Sequence, residues 1–275
     1  MSDSYFEARE RELLGEQYQK MYASAQHVYR AVTVNLLRTD AQTFARSADF
    51  LEGPAPFCPE SFYLKENTRP GRHPYHHAGV YYVQEASAAA PAALLNVQPG
   101  DRVLDPCAAP GGKTTHIAEL MNNKGKIYAF DVHEHKIELI KKNAERLGIT
   151  IIEPKLSDGC KIDENMINTA DKILCDVPCS GLGIIGRKPE IKWNRAEDND
   201  LPKIQRQILD NASKYLKING EIVYSTCTIE KEENEAVTDS FTADNENFEK
   251  VFEKTFYPHI DNTDGFYICK MKRIK

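Results

Sequence analysis

Arg102-Val-Leu-Asp105 runs directly into Pro-Cys-Ala-Ala-Pro-Gly-Gly-Lys-Thr114, and a helical stretch follows to about Met121. A short apolar strand, a turn of small residues and a helix in that order restrict the fold more than any other feature of this chain. Small residues and paired glycines let backbone approach a ligand closely. The following helix aims its free N–H groups at the same place. The alternation then continues. Strands are predicted at Lys126–Asp131, Ile149–Pro154, Asp171–Asp176, Glu221–Thr226 and Phe266–Met271. Helices are predicted at Lys136–Leu147, Gln205–Leu216 and Glu233–Ala243. Strands alternating with helices predict an α/β fold, a doubly wound and mainly parallel sheet with right-handed crossovers.

Ligands of such sheets lie outside the carboxyl ends of the strands. Asp131 ends the second strand, 20 residues beyond Gly111, where a carboxylate can hold paired ribose hydroxyls. Asp158 follows the third strand and can reach an adenine edge. The dinucleotide pattern G-x-G-x-x-G is absent, and Cys107 stands where a Walker loop needs its first glycine. S-adenosylmethionine fits better, since it has a ribose and an adenine but no phosphate. Cys107 in this loop is expected to offer backbone only.

Asp176-Val-Pro-Cys179-Ser-Gly181 follows the fourth strand, and Cys227 follows the fifth in Ser225-Thr226-Cys227-Thr228. Two thiols at adjacent strand ends converge on one cleft. C5 of a pyrimidine is a poor nucleophile, but addition of a thiolate at C6 makes it enamine-like, able to attack an electrophilic methyl group. A base must then remove the C5 proton before the thiolate can leave. One thiol serves as nucleophile and the other assists release, while Asp176 hydrogen-bonds the base edge. Methylation of an amino group needs no such covalent step. A cysteine at a strand end is also a common small buried hydrophobe, and Cys58, Cys160, Cys175 and Cys269 are read that way.

The seven cysteines are odd in number and lack paired zinc-type spacing, so free thiols are expected, with no disulfide framework and no metal site. His73, His76 and His77 lack a third-ligand pattern; their loop is expected near RNA or simply packed. No run of 18 apolar residues supports a membrane helix, and the N-terminus lacks a signal-peptide core. A cytoplasmic protein with no membrane partner is expected. The net charge of −6 is uneven: residues 228–264 hold 11 acidic and 3 basic side chains, leaving 30 and 32 elsewhere. An RNA partner is therefore not excluded, and 228–264 is expected to be a solvated face turned away from it. Arg187, Lys188, Lys192, Trp193 and Arg195 are candidates for phosphate contact and base stacking.

Residues 1–50 read as helical, with a possible strand at Arg30–Asn35, and residues 53–80 as loop-rich. Gln84–Leu95 reads as a helix broken near Pro91. The expected organisation is a small N-terminal α+β, RNA-contacting subdomain, residues 1–80, before a catalytic domain, residues 81–275.

Together, Cys107-Ala-Ala-Pro-Gly-Gly-Lys113, Asp176-Val-Pro-Cys179-Ser-Gly181 and Tyr224-Ser-Thr-Cys227-Thr, with Glu232-Glu-Asn234-Glu downstream, resemble the Nol/Nop/Sun family of S-adenosylmethionine-dependent RNA cytosine-5 methyltransferases. The resemblance spans about Tyr81 to Arg273. It implies a Rossmann-like class I methyltransferase fold, with Cys227 as the nucleophile on C6 and Cys179 assisting release. It implies that Asp176 contacts base and cofactor, that Lys113 organises the site, and that residues 107–113, Asp131 and Asp158 hold S-adenosyl-L-methionine. Arg72–His77 and Tyr82–Ser87 resemble bacterial enzymes acting on 16S ribosomal RNA. Gly181–Pro189 is more similar to a different 16S-modifying branch.

The expectation is a monomeric methyltransferase acting on C5 of a cytidine in structured RNA, foremost 16S ribosomal RNA or the small subunit. Transfer RNA is the second candidate substrate. A non-catalytic ribosome assembly factor and a small-molecule methyltransferase are the other readings. The chain ends soon after its last strand, with no room for the extra RNA-binding domain of some relatives, so its own RNA affinity is expected to be modest.

Overall fold

The structure, a computed structural model, describes residues 5–24, 27–193 and 200–275. The N-terminal part holds helices α1 (Tyr5–Leu14), α2 (Tyr18–Ser24), α3 (Ala41–Ser47) and α4 (Pro74–His77), with strands β1 (Ala31–Val34), β2 (Leu51–Pro54), β3 (Ser61–Leu64) and β4 (Tyr81–Gln84). These strands make one antiparallel sheet in the order β2-β3-β1-β4. After α5 (Ala86–Leu94) come β5 (Arg102–Asp105), α6 (Gly112–Leu120), β6 (Lys126–Asp131), α7 (Glu134–Leu147), β7 (Ile152–Leu156) and β8 (Ala170–Asp176). The chain closes with α8 (Leu201–Tyr215), β9 (Leu216–Thr226), α9 (Glu235–Asp244), β10 (Phe248–Phe256), α10 (Pro258–Asp261) and β11 (Phe266–Arg273).

The larger sheet runs β10-β11-β9-β8-β5-β6-β7, parallel from β9 to β7 and antiparallel at β10 and β11. It is the doubly wound, mainly parallel sheet that the alternation predicts. Side-chain alternation explains why both faces are covered. Leu104, Ile173, Cys175 and Tyr224 turn to one side and pack with Ile208, Leu209, Val237 and Phe241 of α8 and α9. Val103, Leu174 and Val223 turn to the other and pack with Ala90, Ile117, Ala118, Ala144 and Leu147 of α5, α6 and α7. Truncating a central residue such as Leu174 to alanine is expected to cost about 2–5 kcal/mol.

Several expectations need correction. Residues 53–80 contain β3 and the end of β2, not only loop; four-residue strands with Pro54 at a sheet edge leave little periodic signal. Gln84 ends a strand, and Pro91 sits inside α5 without ending it. β7 begins three residues later than expected, because Gly148 caps α7 in the left-handed region. β9 extends back through Asn219-Gly220 to Leu216. Residues 228–264 are no uniformly solvated face: they hold β10, and Glu230, Glu233, Asn234, Thr263 and Asp264 are buried.

The two sheets are tied by polar contacts. The buried Asn35 amide donates to the carbonyls of Gly79 and Leu147 at 2.8 and 2.9 Å, reaching the end of α7. Arg146 of α7 donates to the carbonyl of His76. His73 packs on Phe50 and Tyr75, and His76 packs on Tyr81. The histidine segment is thus part of a packed aromatic cluster.

Candidate active site

The chain runs from β5 outward through β6 and β7, then returns to the other flank of β5 as β8. The strand order therefore reverses between β5 and β8, where ligands of doubly wound sheets bind. The loop after β5 crosses this point. Gly111 caps α6 in the left-handed region, with φ of 96°. A Cβ on Gly112 would meet the Tyr82 ring at 2.7 Å. Both glycines are therefore required by the turn and by the close approach of β4. A cleft of about 230 Å³ opens here, lined by Cys107, Ala108, Ala109, Pro110, Gly112, Lys113, Asp105 and Asp176, with Tyr82, Gln84, Glu85 and Arg187 opposite.

Lys113 bridges the two halves of the site. Its Nζ lies 2.8 Å from Asp176 Oδ2 at the end of β8, and above the Phe266 ring. The other Asp176 oxygen accepts from the Ser225 hydroxyl at 2.7 Å. Burial opposes the charge on Lys113, but the Asp176 carboxylate outweighs it and holds the ammonium above its ordinary pKa. Asp105 is buried, accepts from the Thr114 hydroxyl at 2.7 Å, and is pushed up to about 7 by that burial and by Asp176.

β8 and β9 pair in parallel with Asp176 opposite Ser225. Cys179 and Cys227 follow these residues, and their sulfurs lie 3.1 Å apart. The Cys227 amide also donates to the Cys179 sulfur at 3.3 Å. The Cys179 loop is fixed from behind: the Ser180 amide donates to Glu233 at 2.9 Å, and the Gly183 amide to the Cys227 carbonyl at 3.0 Å. Cys227 is drawn below its ordinary pKa, first by the Cys179 hydrogen bond and, against burial, by the nearby Lys113 ammonium. Cys179 is raised, by the Cys227 hydrogen bond and by burial. The other five thiols are raised too, each chiefly by burial. Of the seven, Cys227 alone is moved towards thiolate.

The structure brings together residues 107–113, Asp176, Cys179 and Cys227. Asp131 ends β6, nearly buried, accepts from the His133 amide at 2.9 Å and lies 3.7 Å from Lys136 Nζ. Asp158 follows β7 and accepts from the Cys160 amide at 2.9 Å. Neither lines the cleft itself. Arg187, expected as a free cation for phosphate, is paired with the buried Asp264 at 2.6 Å. Arg195 lies outside the described residues, as do the side chains of Lys192 and Trp193. Sequence reasoning missed Glu85 and Asp264, because no local spacing links them. It also missed Glu233 and Asn234 as supports of the two thiol loops, although both stand in a quoted motif.

Fold and site together define a Rossmann-like α/β protein with a cleft at its switch point and, joined to it through Lys113 and Asp176, a thiol pair that does not itself line the cleft. The family model for 16S rRNA methyltransferase RsmB/F matches residues 92–272, and that for the N-terminal domain of 16S rRNA methyltransferase RsmF matches residues 3–86. The chain belongs to the RsmB/F family. It is 40% identical over 230 residues to the "probable ribosomal RNA small subunit methyltransferase B" of Bacillus subtilis, covering 76% of this chain and 51% of that protein. It is 31% identical over 278 residues to ribosomal RNA small subunit methyltransferase F of Escherichia coli O1:K1, covering 89% of this chain and 57% of that one. The chain thus spans about half the length of these curated relatives. A methyltransferase homologue from Pyrococcus horikoshii superposes with a TM-score of 0.85 at 32% identity, over 97% of this chain and 94% of that one. NSun6 of the same organism shares the fold, at a TM-score of 0.86 and 22% identity.

Proposed function

We propose that this chain methylates C5 of a cytidine in structured RNA, foremost 16S ribosomal RNA, using S-adenosylmethionine. The observation that carries the reading is the thiol pair, its sulfurs 3.1 Å apart beside the Lys113–Asp176 ion pair. S-adenosylmethionine would supply an electrophilic methyl group. The chain's residues fit it: Cys107, Ala108, Ala109, Pro110, Gly112 and Lys113 wall the cleft at the switch point, with Asp131 at the end of β6 and Asp158 two residues beyond β7 to take the ribose and adenine.

Cys227 adds to C6 of the base, and the electrons of the C5–C6 double bond form the new C5–methyl bond, for which the methyl–sulfonium bond would break and S-adenosylhomocysteine would be left. Asp176, oriented by Ser225 and Lys113, takes hydrogen bonds from the base edge. The C5 proton then leaves to a base, the C6–sulfur bond breaks, and Cys227 regains its starting state. Cys179, against Cys227, assists that release. The target base must be unstacked to enter the cleft.

The test is transfer of radiolabelled methyl groups to 16S RNA, 30S subunits, transfer RNA and duplex DNA, with wild type and Cys227→Ala. Label in 16S RNA or 30S subunits that vanishes in the variant supports the reading. Label in transfer RNA alone reassigns the substrate. Cofactor binding with no label on any RNA favours an assembly factor.

A further inference from the structure

Outside the cleft, three side chains of different chemistry converge where the small sheet meets α6. Cys58 and Glu60 lie in the turn between β2 and β3, and His116 is in the second turn of α6. Cys58 Sγ lies 3.2 Å from Glu60 Oε2 and 3.9 Å from His116 Nε2. One donor atom from each residue falls within 4.8 Å of the others. Cys58 is 0% and His116 2% exposed, and Glu60 is half-buried.

The surroundings are short of partners. Glu119, one turn along α6 and 3% exposed, has Oε1 unpaired, and His116 Nδ1 is unpaired too. A buried polar atom without a partner costs about 1–3 kcal/mol, and each calls for an explanation. A thiol, a carboxylate and an imidazole with donor atoms within 4.8 Å of one another are a set that a cation would satisfy.

We propose that Cys58, Glu60 and His116 bind one zinc-class divalent cation that clasps the small sheet to the cofactor helix. Thiolate, imidazole and carboxylate together suit zinc better than magnesium or calcium, which prefer oxygen alone. Tetrahedral bonds to zinc of ~2.0–2.3 Å place donor atoms roughly 3.3–3.6 Å apart. The sulfur–oxygen and sulfur–nitrogen separations are within a few tenths of an ångström of that. On binding, the Cys58 proton leaves to solvent and the sulfur–metal bond takes its place. The fourth position is left for a water. Cys58 and His116 are 58 residues apart, so the site has no linear spacing to read. Its position explains its use: α6 begins at Gly112 of the cofactor loop, and the cation fixes that helix to the neighbouring sheet.

The proposal is independent of the methyl-transfer reading, and its test does not use activity. The full chain is stripped of metal, titrated with zinc, desalted and assayed for bound metal and thermal midpoint, and it is titrated separately with cobalt. One retained zinc, a midpoint raised by several degrees and a thiolate-to-cobalt charge-transfer band are expected. All three should be lost in Cys58→Ser and His116→Ala. They should also be lost in Glu60→Gln, an isosteric change at a half-buried position that leaves the metal-free midpoint near wild type. Zinc no higher than the buffer background in wild type overturns the proposal. So does zinc bound equally by wild type and Glu60→Gln, which would place the metal elsewhere.

Discussion

Asn234 grips the chain on both sides of Cys227: its Oδ1 accepts from the Thr226 hydroxyl at 2.5 Å, and its Nδ2 donates to the Thr228 carbonyl at 3.0 Å. All three residues are fully buried. Asn234→Ala leaves the Thr226 hydroxyl and the Thr228 carbonyl only their long mutual contact of 3.5 Å and should cost about 1–3 kcal/mol, read by urea denaturation. Methyl transfer should fall further than folding stability accounts for, since the turn carrying the sulfur loosens. Asn234→Asp keeps the acceptor and loses the donor, and should fall between. Equal turnover in all three proteins would show that the clasp does not position Cys227.

Cys179→Ala should separate attack from release. With Cys227 intact the adduct still forms, so denaturing gels of enzyme incubated with cofactor and RNA should show a slow-migrating protein–RNA band. The band should be absent in wild type and in the Cys179→Ala, Cys227→Ala double variant. Multiple turnover by Cys179→Ala without a trapped band would remove this thiol from the release step.

Gly112→Ala drives a Cβ into the Tyr82 ring and towards the Gln84 side chain. The ring belongs to β4 and cannot simply swing away. A cost of about 1–3 kcal/mol is expected. Calorimetric titration with S-adenosylmethionine should show weaker binding, by roughly tenfold for each 1.4 kcal/mol lost from the cradle. Unchanged affinity would mean that the cofactor does not use this wall.

Asp105 sets a pH dependence with a defined sign. Its carboxyl is pushed from an ordinary 3.8 up to about 7, so the folded state holds a proton that the unfolded chain has released. Stability from this group is intact below about pH 4 and is lost as pH rises to about 7. Asp105→Asn should flatten that decline. Denaturation of both proteins at several pH values checks it: the variant should gain on wild type as pH rises from 4 to 7 and hold the gain above. A difference independent of pH would show that Asp105 is not held protonated.

β5, β6 and β8 were legible because each is a largely buried apolar run ending in a polar residue: Asp105, Asp131 and Asp176 mark strand ends to the residue, whereas the half-exposed edge strand β7 was placed three residues early. β10 was not legible. It is an edge strand in which Lys250, Glu253 and Lys254 interleave with Phe252 and Phe256, and a bulge between Lys250 and Phe252 breaks the alternation. Charge and irregularity protect an edge from pairing, and they also erase its signature. Within the site, Asp176, Cys179 and Cys227 stood out because each sits at or just beyond a strand end, whereas Lys113, in the first turn of α6, was singled out only by the resemblance of its motif. Glu85 and Asp264 come from opposite ends of the chain, and each looks like ordinary surface acid until the fold buries it.

Asp176 and Ser225 are hydrogen-bonded neighbours on adjacent parallel strands, and the two thiols lie within three residues of that pair. The fixed spacing of a sheet, about 4.8 Å between strands, therefore sets where the two thiol loops begin, and the Glu233 and Asn234 contacts hold them from there. On the proposed reading, the outer segments that would choose the nucleotide can be rebuilt without retuning the thiol pair. In such a protein, address and chemistry are free to evolve on separate schedules.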